Sequence, residues 1–242
     1  LGPGDALLDN PRNYRDPRTD GLLEEAFSLV PREEIFAQTG IQFMKFNTLY
    51  QLLAMRSSPL LDQAQTLLLM GDLFNFFFTG AKVCEFSNVT TTQFYNPSAG
   101  DWARTLLDRF DLPHHFLPEI VEPATHIGHL TGAISEELGI RPVPFIAPAT
   151  HDTGSAVAAV PTEDADYAYI SSGTWSLMGA EINAPILSEN ALEHNFTNEG
   201  GVGQTYRFLK NIMGLWLVQE CRRQWEREGR SYSYTDLAEL AA

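Results

Sequence analysis

The stretch that decides the fold is Pro144-Phe145-Ile146-Ala147-Pro148-Ala149-Thr150-His151-Asp152-Thr153-Gly154-Ser155-Ala156-Val157-Ala158-Ala159. Val143 to Ala147 predicts a short buried strand, and Thr153 to Ala159 predicts a helix whose small residues pack closely on a sheet. Asp152 then lies at the helix entry, where unpaired N–H groups and the helix dipole favour an ionised carboxylate. Such a carboxylate is a candidate general base, and a simple helix cap, by Asp152 or Thr150, is the alternative.

A second segment predicts a β-hairpin. Residues 167–170 and 174–179 alternate in polarity and are rich in β-prone residues, and Ser171-Ser172-Gly173 lies between them. A tight turn of hydroxyl residues and glycine can present N–H groups to an anion, such as the phosphates of a nucleotide. Serine-glycine turns are common, so the hairpin alone is only a weak indication of a nucleotide site.

In this order, the two segments resemble the middle of a sugar kinase of the FGGY family. Further stretches that carry the resemblance are residues 14–19, 40–43, 46–52 and 209–217. The resemblance implies an α/β fold of the actin-like ATPase (ribonuclease H-like) type, with two domains, a cleft between them and only partial coverage by this chain.

A polar, acidic link at residues 162–166 separates the small-residue helix from the hairpin, so the expected domain boundary is near Pro161. Together with the resemblance, this boundary implies that residues 1–161 form most of an N-terminal sugar-binding domain, without its first strands. Residues 162–242 then form the start of a C-terminal ATP-binding domain.

The activity that the resemblance implies is ATP-dependent phosphorylation of a ketose, with Mg²⁺ as cofactor. The expected reaction converts L-rhamnulose to L-rhamnulose 1-phosphate in rhamnose catabolism, and L-fuculose or D-xylulose are alternative sugars. A non-catalytic sugar or nucleotide sensor on the same fold is a second alternative. An aspartic protease is a third, because Asp152-Thr153-Gly154 matches its short signature, but that site needs two carboxylates in a mostly β context.

The resemblance assigns roles to three residues of the decisive stretch. Asp152 matches the catalytic base of the family, and His151, Asp152 and Thr153 match positions that contact the sugar. A core histidine bonded to a nearby carbonyl is the alternative interpretation of His151.

Three residues further along match other positions of the family's site. Asn211 matches a substrate contact, although it could equally cap the helix expected from Trp216 to Arg227. Thr174 matches a contact to the ATP phosphates, and Gln219 matches a second ATP contact. The alternatives are an ordinary β-prone residue for Thr174 and a solvated glutamine for Gln219.

Composition restricts the partners. The chain has 16 Lys and Arg against 31 Asp and Glu, a net charge of -15, which disfavours nucleic-acid and anionic membrane surfaces. No apolar run approaches the roughly 20 residues that cross a bilayer. Two cysteines, Cys84 and Cys221, allow at most one bridge, so a reducing cytoplasm is the expected setting. The sequence gives no indication of oligomeric state.

The chain begins at Leu1 without a methionine and ends within a predicted amphipathic helix at residues 235–242. Both observations predict an internal piece of a longer protein.

Periodicity predicts further elements. Helices are expected at residues 21–30, 31–38, 71–79 and 101–110, and a buried strand is expected from Thr66 to Met70. Asn47 is expected to cap a helix that buries Leu49, Leu52 and Leu53.

Other chemically prominent side chains are expected to be structural. His126 and His129 are spaced like metal ligands, but no acid or cysteine lies nearby in sequence, so no metal ligand is expected. Asp16 and Arg18 are expected to form an ion pair. His114 and His115 are expected to be structural as well. Phe74, Phe76, Phe77 and Phe78 are expected to pack in the core.

Overall fold

A computed structural model of the 242-residue chain describes residues 1–14, 16–162, 164, 166–173 and 175–242. The described residues form a mixture of helices and short strands. The α-helices are α1 (Leu22–Leu29), α2 (Arg32–Thr39), α3 (Thr48–Leu53), α4 (Pro59–Asp62), α5 (Met70–Thr79), α6 (Phe86–Val89), α7 (Arg104–Arg109), α8 (Gly132–Leu138), α9 (Asp152–Ala158), α10 (Glu189–Glu193), α11 (Trp216–Arg227) and α12 (Tyr234–Ala241). The strands are β1 (Val83–Glu85), β2 (Tyr95–Asn96), β3 (Asp101–Trp102), β4 (Glu119–Val121), β5 (His126–His129), β6 (Pro144–Ile146), β7 (Ala168–Ser172), β8 (Trp175–Ile182), β9 (Thr197–Gly200) and β10 (Tyr206–Met213). Short 3-10 helices cover Pro3–Asp5, Pro17–Thr19 and Thr90–Thr92.

The largest sheet in the described part of the chain is antiparallel, with strand order β7-β8-β10-β9. Its register sets Arg207 opposite Glu199 and Asn211 opposite Leu177. Because side chains alternate along a strand and opposite residues share a face, Arg207, Leu209 and Asn211 lie on one face of β10. Leu209 and Arg207 are both fully buried, so this face is directed into the molecule.

The main hydrophobic core lies in the N-terminal part of the chain. Leu49 and Tyr50 of α3 and Leu106 and Leu107 of α7 are fully buried in it, as is Phe94. β1 and β4 pair in parallel beside this core, while β2 with β3 and β5 with β6 form antiparallel pairs. The core therefore supports β1 and α6, on which the turn before α9 rests.

Several predicted elements are confirmed. The structure has a helix within residues 21–30, a second at Arg32–Thr39, and the small-residue helix at Asp152–Ala158. The hairpin of β7 and β8 is present, and the helix at Trp216–Arg227 has the predicted bounds. α5 ends at Gly80, whose φ of 78° is the left-handed conformation that glycine adopts without strain.

Three local predictions are wrong. Thr66 to Met70 is not a strand; its backbone makes isolated bonds to Leu1 and Phe116, and α5 already begins at Met70. The segment 101–110 begins as β3, and its helix starts only at Arg104. Asn47 stands at the start of α3, but its side chain does not cap the helix.

The predicted burial of two apolar segments is also wrong. Phe74, Phe77 and Phe78 are 53%, 44% and 40% exposed, because α5 turns Asp72 and Asn75 inward instead. β6 forms as predicted, but among the described strands it pairs with β5 alone, and Ile146 is 49% exposed. In α5 the side that carries Asp72 and Asn75 faces inward, which is the reverse of the orientation that hydrophobicity predicts.

The remaining structural predictions concern polar side chains. The backbone N–H of Arg18 donates a hydrogen bond to the Asp16 carboxylate. The Arg18 guanidinium instead donates to the side chain of Gln51, so the expected ion pair of the two side chains is replaced by these bonds. His126 and His129 lie side by side on the exposed edge of β5.

Cys84 and Cys221 are free thiols. Among the described residues, no helix combines the length and apolar character needed to cross a membrane.

Candidate active site

A cavity of about 400 Å³ lies between residues that precede position 161 and residues that follow it. It brings together His151, Asp152, Thr153 and Asn211, four of the residues singled out in the sequence. Its full lining is Ile41, Gln42, Met44, Phe46, Asn47, Thr48, Asn88, Thr91, His151, Asp152, Thr153, Trp175, Leu177, Glu199 and Asn211.

Asp152 is the first residue of α9, and its side chain is 98% exposed at the cavity. Its Oδ1 atom accepts a hydrogen bond of 2.7 Å from the N–H of Thr153, so the carboxylate is oriented by its own turn. Neither proposed cap forms, since Thr150 directs its hydroxyl to Glu85 and the residue at the cap position, His151, makes no side-chain cap. Because Asp152 begins a helix, the aspartic protease alternative loses its β context.

The turn before Asp152 is anchored by Glu85, a fully buried residue at the end of β1. The Oε2 atom of Glu85 accepts hydrogen bonds from the N–H of Thr150 at 2.7 Å, the Thr150 hydroxyl at 2.8 Å and the Ser87 hydroxyl at 2.6 Å. The Ser87 Oγ atom in turn accepts the N–H of His151 at 3.1 Å. One buried carboxylate therefore fixes the two backbone units that precede the candidate base.

Asp72 of α5 supports Glu85 from behind. Its Oδ1 atom accepts the N–H of Glu85 at 3.1 Å, and only 1% of the residue is exposed. Burial raises the pKa of Asp72 to about 7. The turn thus rests on two successive buried carboxyl groups.

His151 lies between the turn before α9 and the antiparallel sheet. Its Nδ1 atom is 3.5 Å from Oδ1 of Asp152, and its Nε2 atom is 3.6 Å from Oε2 of Glu199. Burial lowers the pKa of His151, and the negative charge of Glu199 opposes that effect only in part. The imidazole is therefore neutral at neutral pH, with a single N–H to donate.

Asn211 reaches the cavity from β10, not from a helix cap. It lies two residues before the strand ends at Met213, and α11 begins only at Trp216 with Leu215 at the cap position. The predicted capping role is therefore wrong, because the strand continues further than the sequence pattern indicates. Its place in the sheet brings the amide to the cavity that Asp152 also lines.

The amide side chains of Gln42 and Asn47 form a polar wall of the cavity. Asn47 donates through Nδ2 to the Gln42 carbonyl at 2.9 Å and to Oε1 of Gln93 at 3.0 Å. Gln93 is fully buried and donates to the Ile41 carbonyl. The Oε1 atom of Gln42 is buried and has no hydrogen-bond partner among the described residues. This wall offers polar groups suited to sugar hydroxyls.

Of the two predicted nucleotide contacts, Gln219 does not line this cavity. Thr174 lies outside the described residues. Gln219 is half-buried on α11, whereas Asn211 lies on β10. The N–H of Gly173 donates to the Trp175 carbonyl at 2.8 Å, so this part of the predicted anion-binding turn is already bonded.

Sequence reasoning missed three residues of the site and its support, Glu85, Glu199 and Arg207. Glu199 and Arg207 meet only through the pairing of β9 with β10, which no sequence spacing reveals. Glu85 offered a weaker signal, since a single acid follows the apolar Val83-Cys84 and precedes Phe86. A buried acid in such a run needs partners.

The donor set does not supply a metal centre of its own. Within the described ranges, no group of three or more His, Cys, Asp or Glu side chains could hold a metal ion.

Two family models match the chain. The N-terminal domain of the FGGY family of carbohydrate kinases matches residues 4–159, and the C-terminal domain of that family matches residues 168–242.

The curated relatives include the rhamnulokinase of Oceanobacillus iheyensis, 46% identical over 243 residues, with 100% of this chain and 51% of the relative covered. The rhamnulokinase of Halalkalibacterium halodurans is 44% identical with the same coverage. The rhamnulokinase of Pectobacterium atrosepticum is 48% identical over 86% of this chain and 42% of its own length. The chain thus spans about half the length of the curated relatives it matches.

Solved structures show the fold. A ligand-bound xylulose kinase from Lactobacillus acidophilus superposes with a TM-score of 0.82 at 20% identity, covering 100% of this chain and 49% of that one. A gluconate kinase from the same organism superposes with a TM-score of 0.80 at 21% identity, over 92% of this chain and 45% of that one. The α/β fold of the actin-like ATPase type, partly covered, is confirmed. The chain belongs to the FGGY family of carbohydrate kinases.

Proposed function

We propose that the protein phosphorylates a ketose with ATP, and that the ketose is L-rhamnulose, giving L-rhamnulose 1-phosphate. The observation that carries the proposal is the cavity of about 400 Å³ in which Asp152 stands exposed beside His151, Thr153 and Asn211. The relatives named rhamnulokinase at 44–48% identity support this sugar over L-fuculose or D-xylulose.

In this proposal Asp152 is the general base. Thr153 holds its Oδ1 atom, which leaves the other carboxylate oxygen directed to the cavity, where it takes the proton of the sugar hydroxyl. The oxygen of that hydroxyl attacks the γ-phosphorus of ATP, and the bond from phosphorus to the bridging oxygen of ADP breaks. The anchored turn supplies position, because a carboxylate within hydrogen-bond reach of the proton is what general-base catalysis needs.

The sugar would be held by polar side chains that line the cavity. His151, Thr153 and Asn211 line it together with the amides of Gln42 and Asn47. Buried polar groups placed to bond particular hydroxyls reject analogues that lack them, since those groups are then left unpaired.

The nucleotide would approach from the part of the chain after residue 161. We assign residues 1–161 to the sugar-binding domain and residues 162–242 to the start of the ATP-binding domain. Thr174 and Gln219 are the proposed contacts to ATP, and Mg²⁺ would neutralise its phosphates. Closure of the two domains over the cavity would exclude water.

The test is a panel of acceptors offered to the full-length protein with ATP, with ADP release and sugar phosphate measured together. We expect kcat/KM for L-rhamnulose to exceed that for glycerol or D-xylulose by more than about 100-fold. L-fuculose should be a closer competitor, because it differs only in hydroxyl configuration. Preference for glycerol or D-xylulose would reject L-rhamnulose as the substrate, and absence of any sugar phosphate would reject the kinase proposal.

A further inference from the structure

A line of four polar side chains runs from the cavity into the protein. Asp152 Oδ1 is 3.5 Å from Nδ1 of His151, Nε2 of His151 is 3.6 Å from Oε2 of Glu199, and that oxygen is 3.3 Å from Nη2 of Arg207. Its first two members precede the link at residues 162–166, and its last two follow it. The line therefore connects the antiparallel sheet to the catalytic turn.

The inner end of this line is rigidly placed. Arg207 and Glu199 are opposite each other on β10 and β9, and the Arg207 side chain is 0% exposed. Its Nε atom donates to the Gly200 carbonyl at 3.0 Å, which holds the guanidinium in the sheet. Glu199 lines the cavity with a side chain that is only 9% exposed. The Glu199 carboxylate is thus held by the positive charge of Arg207, which is buried away from solvent.

Several polar atoms of this line lack hydrogen bonds. His151 Nδ1, Glu199 Oε2 and both Nη atoms of Arg207 are buried without a hydrogen-bond partner among the described residues. Buried polar groups are usually bonded, and leaving them unpaired is costly. The spare atom at the cavity end, Nδ1 of His151, lies beside the exposed carboxylate of Asp152.

The charge of Glu199 determines which imidazole nitrogen carries the proton. A neutral histidine has one N–H donor and one lone-pair acceptor. Both ring nitrogens face a carboxylate, Nδ1 that of Asp152 at 3.5 Å and Nε2 that of Glu199 at 3.6 Å. The Asp152 side chain is 98% exposed, so water screens its charge, whereas the Glu199 side chain is only 9% exposed and its charge is screened much less. The proton is therefore favoured on Nε2, and the buried Nδ1 keeps a lone pair that can accept a hydrogen bond.

We propose that Glu199, fixed by Arg207, is a positioning residue that holds His151 as the Nε2–H tautomer, so that Nδ1 accepts a hydrogen bond from a hydroxyl of the bound sugar. The sugar part rests on the proposed function, whereas the tautomer does not. The class of ligand is a polyhydroxylated ketose whose hydroxyl next to the reacting one donates to Nδ1. The residue acts through His151 and takes no part in bond breaking.

The first test is ¹⁵N NMR of the full-length protein labelled at histidine, without nucleotide. The His151 signals are identified by their loss in His151→Gln, and the ring-nitrogen shifts distinguish the tautomers. We expect Nε2–H in the wild type and a shift toward Nδ1–H in Glu199→Gln. A wild-type Nδ1–H tautomer, or no change in the variant, overturns the proposal.

A second variant guards against misfolding. Glu199→Gln leaves the buried Arg207 charge unpaired, which destabilises proteins, whereas removing both charges with similar volume is often tolerated. Glu199→Gln combined with Arg207→Met should give the same tautomer change in a folded protein. Glu181→Gln is the matched control, because that carboxylate lies on β8, bonded to Tyr167 and Thr205. It should leave the His151 signals unchanged.

Steady-state kinetics distinguish this positioning role from a purely structural one. The Glu199 variants should raise the KM of L-rhamnulose about tenfold, as expected for one lost hydrogen bond, and leave the KM of ATP within about twofold. In a His151→Gln background, Glu199→Gln should add no further increase, because both act through one contact. If the increases in the KM of L-rhamnulose caused by the two substitutions add in the double variant, the proposal is overturned. If the wild type phosphorylates no ketose, the proposed function fails while the tautomer measurement still decides the role of Glu199.

Discussion

At the residue scale, Asn211 shows how a single amide can be placed by a sheet rather than by its own sequence neighbours. It lies opposite Leu177 in the register of β10 with β8, and both line the cavity that contains Asp152. The half-buried amide is therefore available to a sugar on one side while the sheet fixes its backbone. A contact of this kind contributes to specificity more than to the fold.

Replacing Asn211 with alanine should raise the KM of L-rhamnulose roughly tenfold in the full-length protein, because the loss of one buried hydrogen bond has about this effect. The preference for L-rhamnulose over D-xylulose should narrow by a similar factor. Steady-state kinetics with both sugars measure this. Asn183→Ala is the control, since Asn183 lines a different cavity. Equal losses for both sugars would show that Asn211 does not contribute to selectivity.

The sequence predicted four residues of the cavity because they match short, ordered motifs. Asp152 and its two neighbours are adjacent in sequence, so the motif that identifies one of them identifies all three. Glu199 and Arg207 carry no such motif, and only strand pairing brings them to His151. The amide wall of Gln42 and Asn47 depends on a buried side-chain network that the residue types alone do not specify.

At the element scale, the turn before α9 is held by β1 and α5 through Glu85 and Asp72. Burial raises the pKa of Asp72 from its ordinary value of 3.8 to about 7. Between these two pH values the folded protein keeps the proton on Asp72, whereas the unfolded chain has released it. The stabilisation from this proton is complete below the unfolded pKa. It is lost as pH rises through the folded pKa, so the window runs from about 3.8 to about 7.

Asp72→Asn keeps an oxygen for the Glu85 N–H and removes the titration. The stability of the variant relative to the wild type should therefore increase from pH 5 to pH 8 by about 3 kcal/mol, because about two pKa units of the window lie within this range. Urea unfolding at several pH values measures the difference. Asp62→Asn, at an exposed site, should show no such trend. A difference that stays constant with pH would contradict the inferred protonation of Asp72.

Elements with strong local signals were predictable, and those that depend on partners were not. The small-residue helix α9 and the alternating hairpin have clear periodicities. Thr66 to Met70 has a strand-like composition, but a strand also needs a neighbour that completes a ladder of hydrogen bonds. The exposed faces of α5 and β6 show the same dependence on what packs beside them.

At the scale of the whole molecule, the cavity is lined from both matched family domains. Its catalytic turn is supported by the N-terminal core, and its far side is the antiparallel sheet. This arrangement suits a reaction in which two substrates meet between two bodies, because closing them can orient the reactants and remove water. The family resemblance predicted this architecture, whereas composition and periodicity alone predicted only a mixture of helices and strands.

The most direct test of the central claim is the transfer of the γ-phosphoryl group from ATP to L-rhamnulose by the full-length protein, compared between wild type and Asp152→Asn. The substitution retains the shape of the side chain and a group that accepts the Thr153 N–H, so the melting temperature and sugar binding should be preserved. We predict formation of L-rhamnulose 1-phosphate by the wild type and a kcat lower by roughly 10²–10⁴-fold in the variant. A folded Asp152→Asn protein that forms the product at a near-normal rate would contradict the account.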